Sequence, residues 1–305
     1  MMVTKDSPKR GVVYRALRAA FRAIAPDPLI TTLRDFRNSL TAGGLKYALK
    51  LRAGAFLGHY RCSVCARPVG FFLPLDSGCL NNLRQHGWKY QANEAETCNP
   101  DSYSCPHCGA ADRDRLYAFY LSDYFRATIP SNTVRIVDFA PSPALSRFIR
   151  KSIADSPGSF SYVTADLFME DADDKVDIMD MKIYGDNSVD FFICSHVLEH
   201  VEDDKKALYE LYRILKPGGR GILVVPIILT IAEIDEDPTI TDPAERWRRF
   251  GQDDHVRLYS KQGFLSRVKQ AGFTTHQLGS EYFGKETFRE HGITEQSMLY
   301  IVEKS

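Results

Sequence analysis

The 305-residue sequence lacks the features that mark membrane-spanning, exported, fibrous and disordered chains. Its longest apolar run, from Ile222 to Leu229, is far shorter than the roughly 20 residues that a bilayer-spanning helix needs. No uninterrupted apolar stretch follows the first basic residues, so we expect no secretory signal and a cytoplasmic location. The sequence also has no internal repeat and no low-complexity tract. Its composition, 44% hydrophobic and 26% charged, is that of a globular protein.

The chain has no net charge, but the two signs are unevenly distributed along it. Residues 1–61 carry twelve Lys and Arg against three Asp, a net charge of +9, so residues 62–305 carry −9. In this leader, apolar side chains recur at helical spacing from Val13 to Ile24, and a second apolar helical stretch covers 45–57. These helices could pack on the neighbouring domain, dock on an anionic membrane surface such as the inner membrane, or contact nucleic acid. The pattern does not choose among the three.

Seven cysteines are present, and four of them form two Cys-x-x-Cys pairs. In a chain without an export signal, this spacing indicates metal binding rather than disulfides, and four thiolates in a tetrahedron make a closed structural zinc site. The 39-residue spacer between the pairs exceeds the usual zinc-ribbon spacing of about 15–20 residues, and it contains two rival ligands, Cys79 and Cys98. Buried free thiols and a redox dithiol are the alternatives, and we expect His107 to be a bystander. The predicted zinc ligands are Cys62, Cys65, Cys105 and Cys108.

Strands and helices alternate from Val134 onward, which indicates a parallel sheet covered by helices on both faces. Residues 230–250 interrupt this rhythm with a polar, acidic and proline-bearing stretch, which suggests a lid over the carboxyl ends of the strands. The sequence therefore predicts a basic helical leader (1–60), a four-cysteine zinc-binding module (61–115) and a third domain (116–305) with a lid or insertion at about 230–255.

Three motifs occur together in the third domain: VDFAPSPALSRFIRK, then VTADLF, then DNSVDFFICSHVLEHV followed by ELYRILKPGG. This combination resembles the class I S-adenosylmethionine-dependent methyltransferases of the type-11 kind, over about Ser131 to Ser305. The segment CPHCGAADRDRL just ahead is similar to a bacterial branch in which a zinc-binding segment precedes the transferase. Many members of that branch look like enzymes of polysaccharide and glycolipid gene clusters.

The resemblance implies a Rossmann-like, doubly wound α/β fold whose seven-stranded sheet is mostly parallel with an antiparallel last strand. It also implies S-adenosylmethionine as the methyl donor. The leading hypothesis for the reaction is O-methylation of a sugar hydroxyl on a glycan or glycolipid. An RNA methyltransferase that grips RNA with the zinc module and the basic leader is one alternative, and a non-catalytic, zinc-stabilised scaffold is another.

Ligands of doubly wound sheets lie across the carboxyl ends of the strands, so the residues after those ends should form the cofactor site. The first strand ends at Asp138, and the turn after it lacks the usual Gly-x-Gly, although the small Ala140 allows close backbone approach and the next proline stiffens the loop. Asp166 ends the second strand, where such folds place an acid on the ribose hydroxyls. By resemblance, Asp177 binds the adenine amino group, with Asp180 as a rival. The predicted cofactor residues are Asp138, Phe139, Ala140, Pro141, Asp166, Leu167, Asp177, Ile178, Ser195 and His196.

Methyl transfer to a hydroxyl needs positioning and, for so poor a nucleophile, a base that removes the proton. His255 is the first candidate, because Asp253 and Asp254 precede it and an acid-flanked histidine can accept a proton near neutral pH. His196 is the second candidate, and positioning without a side-chain base is the third. We expect His200 to cap or pack, and nothing in the spacing of the acidic residues demands a catalytic metal. The predicted catalytic residues are His255, His196 and Asp254.

Overall fold

The computed structural model describes residues 59–128, 132–237 and 239–305. The predicted basic leader, with its two helices and its candidate anionic partners, lies outside the described residues. Residues 58–305 group into one compact unit, which includes both the cysteine pairs and the predicted third domain. In the described part of the chain, no helix is long and apolar enough to cross a membrane.

The described elements are numbered here in chain order. They are β1 (Tyr60–Arg61), β2 (Pro68–Val69), α1 (Ser77–Gln85), α2 (Asp112–Ala127), β3 (Val134–Phe139), α3 (Pro143–Ala154), β4 (Phe160–Asp166), β5 (Asp174–Lys175), β6 (Val189–Ser195), α4 (Asp204–Ile214), β7 (Leu215–Val224), β8 (Asp235–Glu236), α5 (Pro243–Phe250), β9 (Arg257–Leu258), α6 (Lys261–Gln270), β10 (Thr274–Leu278), α7 (Ser280–Phe283), α8 (Lys285–Glu290) and β11 (Leu299–Glu303). A short 3₁₀ helix covers Ala92–Glu94.

A seven-stranded sheet lies at the centre of this unit, in the spatial order β10, β11, β7, β6, β3, β4 and β5. β11 runs antiparallel to both of its neighbours, and the other paired strands of the sheet are parallel. The strand order reverses between β3 and β6, so the loops that leave their carboxyl ends diverge and a crevice opens there. The predicted fold class, a seven-stranded, mostly parallel, doubly wound sheet with an antiparallel last strand, is confirmed.

The central strands form because their residues are apolar on both faces, as is typical of strands covered by helices on two sides. β3 and β6 cover the apolar sequence segments VRIVDF and VDFFIC, and most of their side chains are buried. The covering helices have local start signals: Pro143 stands in the first turn of α3, and Asp203 caps α4 by accepting the backbone N–H of Lys206. Sequence and tertiary packing therefore agree on these elements.

The apolar stretch GILVVPI predicts a strand that begins at Gly221, whereas β7 begins at Leu215. The extra pairing joins Leu215 to Val189, and the register then shifts before Phe191. Gly221 has a packing reason to lack a side chain: a Cβ there would lie 2.5 Å from the ring of Phe192 on β6. Pro217, Gly218 and Gly219 lie within β7, where this irregular register accommodates them.

Arg115 on α2 joins the cysteine segment to the end of the chain. Its side chain is fully buried, and the guanidinium donates hydrogen bonds to five backbone carbonyls at distances of 2.5–3.1 Å. The acceptors are Ser102, Tyr103, Ala110, His291 and Gly292. The planar guanidinium also lies 3.8 Å from the centroid of the Phe72 ring. One arginine thus satisfies backbone groups of two segments that are far apart in sequence.

The predicted lid contains β8 and α5, and β8 pairs antiparallel with β9. Phe250 at the end of α5 is buried with Ile228 and Leu258, and Trp88 packs against this group. α5 ends at Gly251, whose φ of 85° is the left-handed conformation that favours glycine at a helix C-terminus. The segment between α5 and β9, which contains His255, meets the loop after β6, because the N–H of Val256 donates to the carbonyl of Glu199.

Candidate functional site

The four paired cysteines converge on one point. Their sulfur atoms all lie within 4.8 Å of one another, with 3.7 Å between Cys62 and Cys108 and 3.9 Å between Cys65 and Cys105. Four sulfurs bound tetrahedrally to one zinc ion at about 2.3 Å stand roughly 3.8 Å apart. The donor set and its spacing therefore fit a closed, four-thiolate zinc site.

Two tight turns present these thiols. The N–H of Cys62 donates to the carbonyl of Arg67, and the N–H of Cys105 donates to the carbonyl of Ala110. The residue after each second cysteine has a left-handed backbone, with φ of 58° at Ala66 and 76° at Gly109. The cluster excludes the rival ligands Cys79 and Cys98, while His107 is exposed beside it.

A second cluster of polar groups surrounds a small cavity at the carboxyl ends of β3 and β6. Its lining includes several predicted cofactor residues, namely Asp138, Phe139, Ala140 and Ser195. It also includes residues of α2 that the sequence analysis did not single out, namely Arg113, Asp114 and Tyr117. The signal for Arg113 and Asp114 is the DRDRL stretch after the second cysteine pair, where charged residues open a helix next to a predicted ligand site, and Tyr117 follows one turn later on the same helix.

The α2 residues are held in place by hydrogen bonds to the strand ends. The Tyr117 hydroxyl lies 2.8 Å from Oγ of Ser195, and Asp114 accepts a hydrogen bond of 2.9 Å from Ser142, the residue that precedes α3. Arg113 donates to the hydroxyl of Tyr103. The cavity is therefore bounded by the cysteine-bearing side of the unit as well as by the sheet.

Asp138 is buried at the floor of the cavity. The hydroxyl of Tyr162 donates to Oδ2 of Asp138 at 2.6 Å. Burial raises the pKa of Asp138 to about 7, although the hydrogen bond from Tyr162 acts in the opposite direction. A cationic ligand in the cavity would stabilise the charged form of this carboxyl.

Two strained residues flank the crevice. Ala140 after β3 has a φ of 52°, and His196 after β6 has a φ of 56°. For residues with a side chain, this conformation costs about 1–2 kcal/mol, and it concentrates at functional sites. Both turns are fixed by backbone bonds to neighbouring strands, since Ala140 donates to the carbonyl of Ala165 and His196 to that of Val224.

The remaining predicted cofactor residues lie at strand ends outside the lining of this cavity. Oδ1 of Asp166 accepts the backbone N–H groups of Phe168 and Met169 at 2.6 Å each, which fixes the turn after β4. That turn exposes the side chains of Leu167 and Phe168, which are 46% and 50% exposed. Further along, Asp177 accepts the N–H of Met179, Ile178 is buried, and Pro141 is buried in the turn after β3.

A third cluster, of histidines and acids, lies directly after β6. Glu199 is fully buried, and its Oε1 lies 3.4 Å from Nδ1 of His196 and 3.9 Å from Nε2 of His200. Burial raises the pKa of Glu199, but the contact with His196 and the nearby histidines outweigh it and hold the pKa at about 2. Burial lowers the pKa of His196, and the charge of Arg113 acts in the same direction.

His255 joins this cluster in an orientation that differs from the predicted one. Its Nδ1 lies 3.1 Å from the carbonyl oxygen of Phe250, whereas Oδ2 of Asp254 lies 3.2 Å from Nδ1 of His200. The backbone thus turns the neighbouring side chains of Asp254 and His255 towards different partners, so Asp254 does not flank the His255 ring in the way that their adjacency in the sequence suggested. Burial and the neighbouring His200 lower the pKa of His255 to about 4, so its imidazole is neutral at pH 7. Its predicted role as the general base stays a prediction.

Arg257 holds the loop that carries Glu199 and His200. Its buried guanidinium donates to the carbonyls of Leu198, Val201 and Glu202 at 2.5–2.8 Å. In addition, the N–H of the residue before Arg257 donates to the carbonyl of Glu199 at 2.9 Å. The lid segment and the loop after β6 are thus tied together by backbone groups.

Comparisons with known proteins agree with the fold. Residues 124–223 match a family model described as a methyltransferase domain. A C-methyltransferase of ubiquinone and menaquinone biosynthesis from Haemophilus ducreyi is 30% identical over 104 residues, which are 30% of this chain and 39% of the relative. This chain therefore spans well under half of the length of that curated relative.

Some solved structures of methyltransferases have a fold similar to that of this chain. An S-adenosylmethionine-dependent methyltransferase from Mesorhizobium loti is 14% identical with a TM-score of 0.37, covering 60% of this chain and 98% of that one. A phosphoethanolamine N-methyltransferase from Haemonchus contortus, in complex with S-adenosylmethionine, is 12% identical with a TM-score of 0.39, covering 66% and 54%. Such distant likenesses do not define an activity. The family match supports the predicted methyltransferase class for residues 124–223, while the acceptor and the polysaccharide branch stay predictions.

Proposed function

We propose that the protein transfers a methyl group from S-adenosylmethionine to a sugar hydroxyl of a glycan or glycolipid. The observation that carries this proposal is the crevice between β3 and β6, where the tight turn at Ala140, the buried Asp138 and the polar cluster after β6 adjoin one another. The match to a methyltransferase domain covers both strands.

The cofactor residues fit the group by their chemistry. The left-handed turn at Ala140 allows the backbone to approach a ligand closely, and the acidic Asp138 and Asp166 stand at the two strand ends where a cationic and hydroxyl-rich molecule would lie. The exposed Leu167 and Phe168 offer apolar surface beside Asp166, which suits a purine ring. When bound, S-adenosylmethionine supplies a methyl group on a positively charged sulfur.

His196 is the best-placed proton acceptor for such a transfer. Its neighbour Ser195 lines the cavity, and its Nδ1 faces the buried carboxylate of Glu199 at 3.4 Å. In the transfer, the oxygen–carbon bond forms as the sulfur–carbon bond breaks, and the hydroxyl proton passes to Nε2 of His196. Glu199 would then stabilise the imidazolium that forms, as a carboxylate does behind a histidine base. On this geometry we favour His196 over His255 as the base.

The four-cysteine cluster would serve this function as a structural element. We propose that one Zn²⁺ ion bound there fixes the segment that precedes α2, because a closed thiolate site has no open coordination position for chemistry. α2 supplies Arg113 and Tyr117 to the cavity, so the metal would shape the acceptor side of the site from outside it.

The acceptor class is tested with S-adenosylmethionine that carries an isotope-labelled methyl group. The purified protein is offered glycolipid and oligosaccharide acceptors, total RNA, and a quinol in parallel, with Asp166→Asn, at a cofactor concentration too low to saturate it, as the control of reduced activity. We expect label in the carbohydrate fraction, released as O-methyl sugar on hydrolysis. Label in RNA would favour the RNA methyltransferase alternative, and label on the quinol ring would favour a C-methyltransferase. Each result would overturn the sugar assignment.

A further inference from the structure

Glu199, His200 and His255, in the cluster after β6, have side chains of the kind that bind metal ions, and they form a group separate from the cysteines. One ligand atom from each of Glu199, His200 and His255 lies within 4.8 Å of the other two. Two imidazoles and one carboxylate are a donor set that binds first-row divalent metals such as Fe²⁺, Zn²⁺ and Mn²⁺.

The two histidines are oriented as metal ligands are. Nδ1 of His255 lies 3.1 Å from the carbonyl of Phe250, which can only accept, so Nδ1 carries the proton and Nε2 presents a lone pair. Nδ1 of His200 lies 3.2 Å from Oδ2 of Asp254, which likewise directs its Nε2 away from that carboxylate. A carbonyl or a carboxylate on the far ring nitrogen is the usual support of a metal-bound histidine.

Glu199 and His255 also keep buried polar atoms that no hydrogen bond from the described part of the chain satisfies. Nε2 of His255 and both carboxylate oxygens of Glu199 make no hydrogen bond among the described residues, although the histidine is 3% exposed and the glutamate 0%. The contacts of Glu199 with His196 and His200, at 3.4 and 3.9 Å, do not form a hydrogen bond, which is costly for a buried carboxylate, and a bound cation would remove that cost. The ring of His200 meets that of His255 at 4.7 Å and 82°, so Glu199 faces two differently oriented imidazoles.

We propose that Glu199, His200 and His255 bind one divalent transition-metal ion through a carboxylate oxygen and two Nε2 atoms. The site itself does not depend on the methyltransferase proposal, but its role does. Glu199 also contacts His196, which follows the cavity-lining Ser195, so the ion would stand beside the acceptor end of the crevice. There it would hold the acceptor oxygen and make its proton easier to remove, with His196 taking that proton.

Binding of Co²⁺ tests the site without any measurement of activity. Protein that carries only one equivalent of zinc per chain, held by the four thiolates, is titrated with Co²⁺, and bound metal is counted by equilibrium dialysis and elemental analysis. The absorption spectrum assigns the ion, because cobalt bound to nitrogen and oxygen lacks the sulfur-to-metal charge-transfer band of a thiolate site. We expect one Co²⁺ per chain, without that band and without release of zinc.

His200→Gln and His255→Gln should each weaken Co²⁺ binding at least tenfold, and Asp254→Asn about 10- to 100-fold through the loss of ring orientation. His276→Gln is the matched control, because this half-exposed histidine lies 3.6 Å from Glu303 on the far edge of the sheet. Circular dichroism checks that each variant folds. If substitution of the buried His255 prevents folding, His200→Gln alone tests the site. The proposal would be overturned if the wild type bound no Co²⁺ beyond its zinc. It would also be overturned if the His200 and His255 variants bound Co²⁺ as tightly as the wild type, or if His276→Gln weakened Co²⁺ binding. Calorimetry with S-adenosylmethionine on the same samples reports separately on the proposed function.

Discussion

Oδ2 of Asp254 lies 3.2 Å from Nδ1 of His200, so the carboxylate next to His255 in the sequence orients a different histidine. The backbone between α5 and β9 separates the two side chains, and His255 turns to the carbonyl of Phe250 instead. His196, His200 and His255 all lie near the buried carboxylate of Glu199. This arrangement underlies the assignment of His196 as the base and of the other two histidines as metal ligands.

The base assignment predicts that His196→Asn lowers turnover about 10²- to 10⁴-fold while leaving the affinity for S-adenosylmethionine within a few-fold. Asn is chosen because it tolerates the left-handed φ of 56° at this position better than other residues. Because burial lowers the pKa of His196, the midpoint of the acidic limb of the wild-type pH–rate profile should lie below the ordinary pKa of histidine. Single-turnover kinetics across pH measures both effects. Turnover that stays near the wild-type value would exclude His196 as the base.

The cysteine cluster predicts that Cys105→Ser removes one equivalent of zinc per chain and lowers the melting temperature, because metal binding and local folding are linked. Cys98→Ser is the control, since this cysteine stands outside the cluster and burial raises the pKa of its thiol to about 12. Elemental analysis of protein purified without chelators measures the zinc. Equal zinc content in both variants and the wild type would contradict the assignment.

Asp138 predicts a pH dependence of stability. Its pKa is raised from 3.8 to about 7 on folding, so the folded state favours the protonated carboxyl, and the protein loses stability as the pH rises from about 4 to 7. A shift of this size corresponds to on the order of 4 kcal/mol. Asp138→Asn, which keeps an acceptor for the Tyr162 hydroxyl, should therefore be more stable than the wild type at pH 8 and approach it near pH 4.

Urea unfolding at several pH values tests this expectation. Asp171→Asn, at an exposed position of the loop after β4, should instead track the wild type at every pH. If the difference between Asp138→Asn and the wild type is the same at pH 4 and pH 8, Asp138 does not carry the raised pKa.

Arg115 predicts a large loss of stability on truncation. Arg115→Ala removes five hydrogen bonds and leaves the carbonyls of Ser102, Tyr103 and His291 without this donor, and we expect a cost on the order of 4 kcal/mol. Arg115→Lys should recover little of it, because an ammonium group cannot reproduce the planar fork. Arg126→Ala, which removes an exposed ion pair with Asp123, should change stability by about 0.5 kcal/mol or less. Chemical denaturation of the three variants gives these values, and an Arg115→Ala protein as stable as Arg126→Ala would contradict the role.

Much of the fold could be predicted because local and tertiary signals coincide. The apolar runs of β3, β4 and β6 match strands that are buried in the sheet, and the cysteine spacing alone identified the four converging thiols. The start of β7 could not be predicted in the same way. Its prolyl and glycyl residues are uncommon within strands, and the pairing of Leu215 with Val189 depends on an irregular register that no local pattern reveals.

The site was less predictable, because it is built from segments that are distant in sequence. Arg113 and Tyr117 reach the cavity from a helix that precedes the sheet, and the spacing of residues does not show that approach. His200 looked like a capping residue. Its grouping with His255 depends on Arg257, whose side chain binds three carbonyls of the loop after β6. Long-range hydrogen bonds of this kind determine which histidines lie close together, and they cannot be read from the spacing of residues in the sequence.

The central claim is that the crevice between β3 and β6 binds S-adenosylmethionine, and calorimetric titration of the cofactor tests it most directly. We expect the wild type to bind one molecule per chain. Asp166→Asn keeps the oxygen that accepts from Phe168 and Met169 but loses the charge that would hold the ribose hydroxyls. Loss of charge-assisted hydrogen bonds of about 1.5–3 kcal/mol should weaken binding roughly 10- to 150-fold, with Asp171→Asn unchanged. Absence of binding by the wild type, or equal dissociation constants for the wild type and Asp166→Asn, would contradict the account.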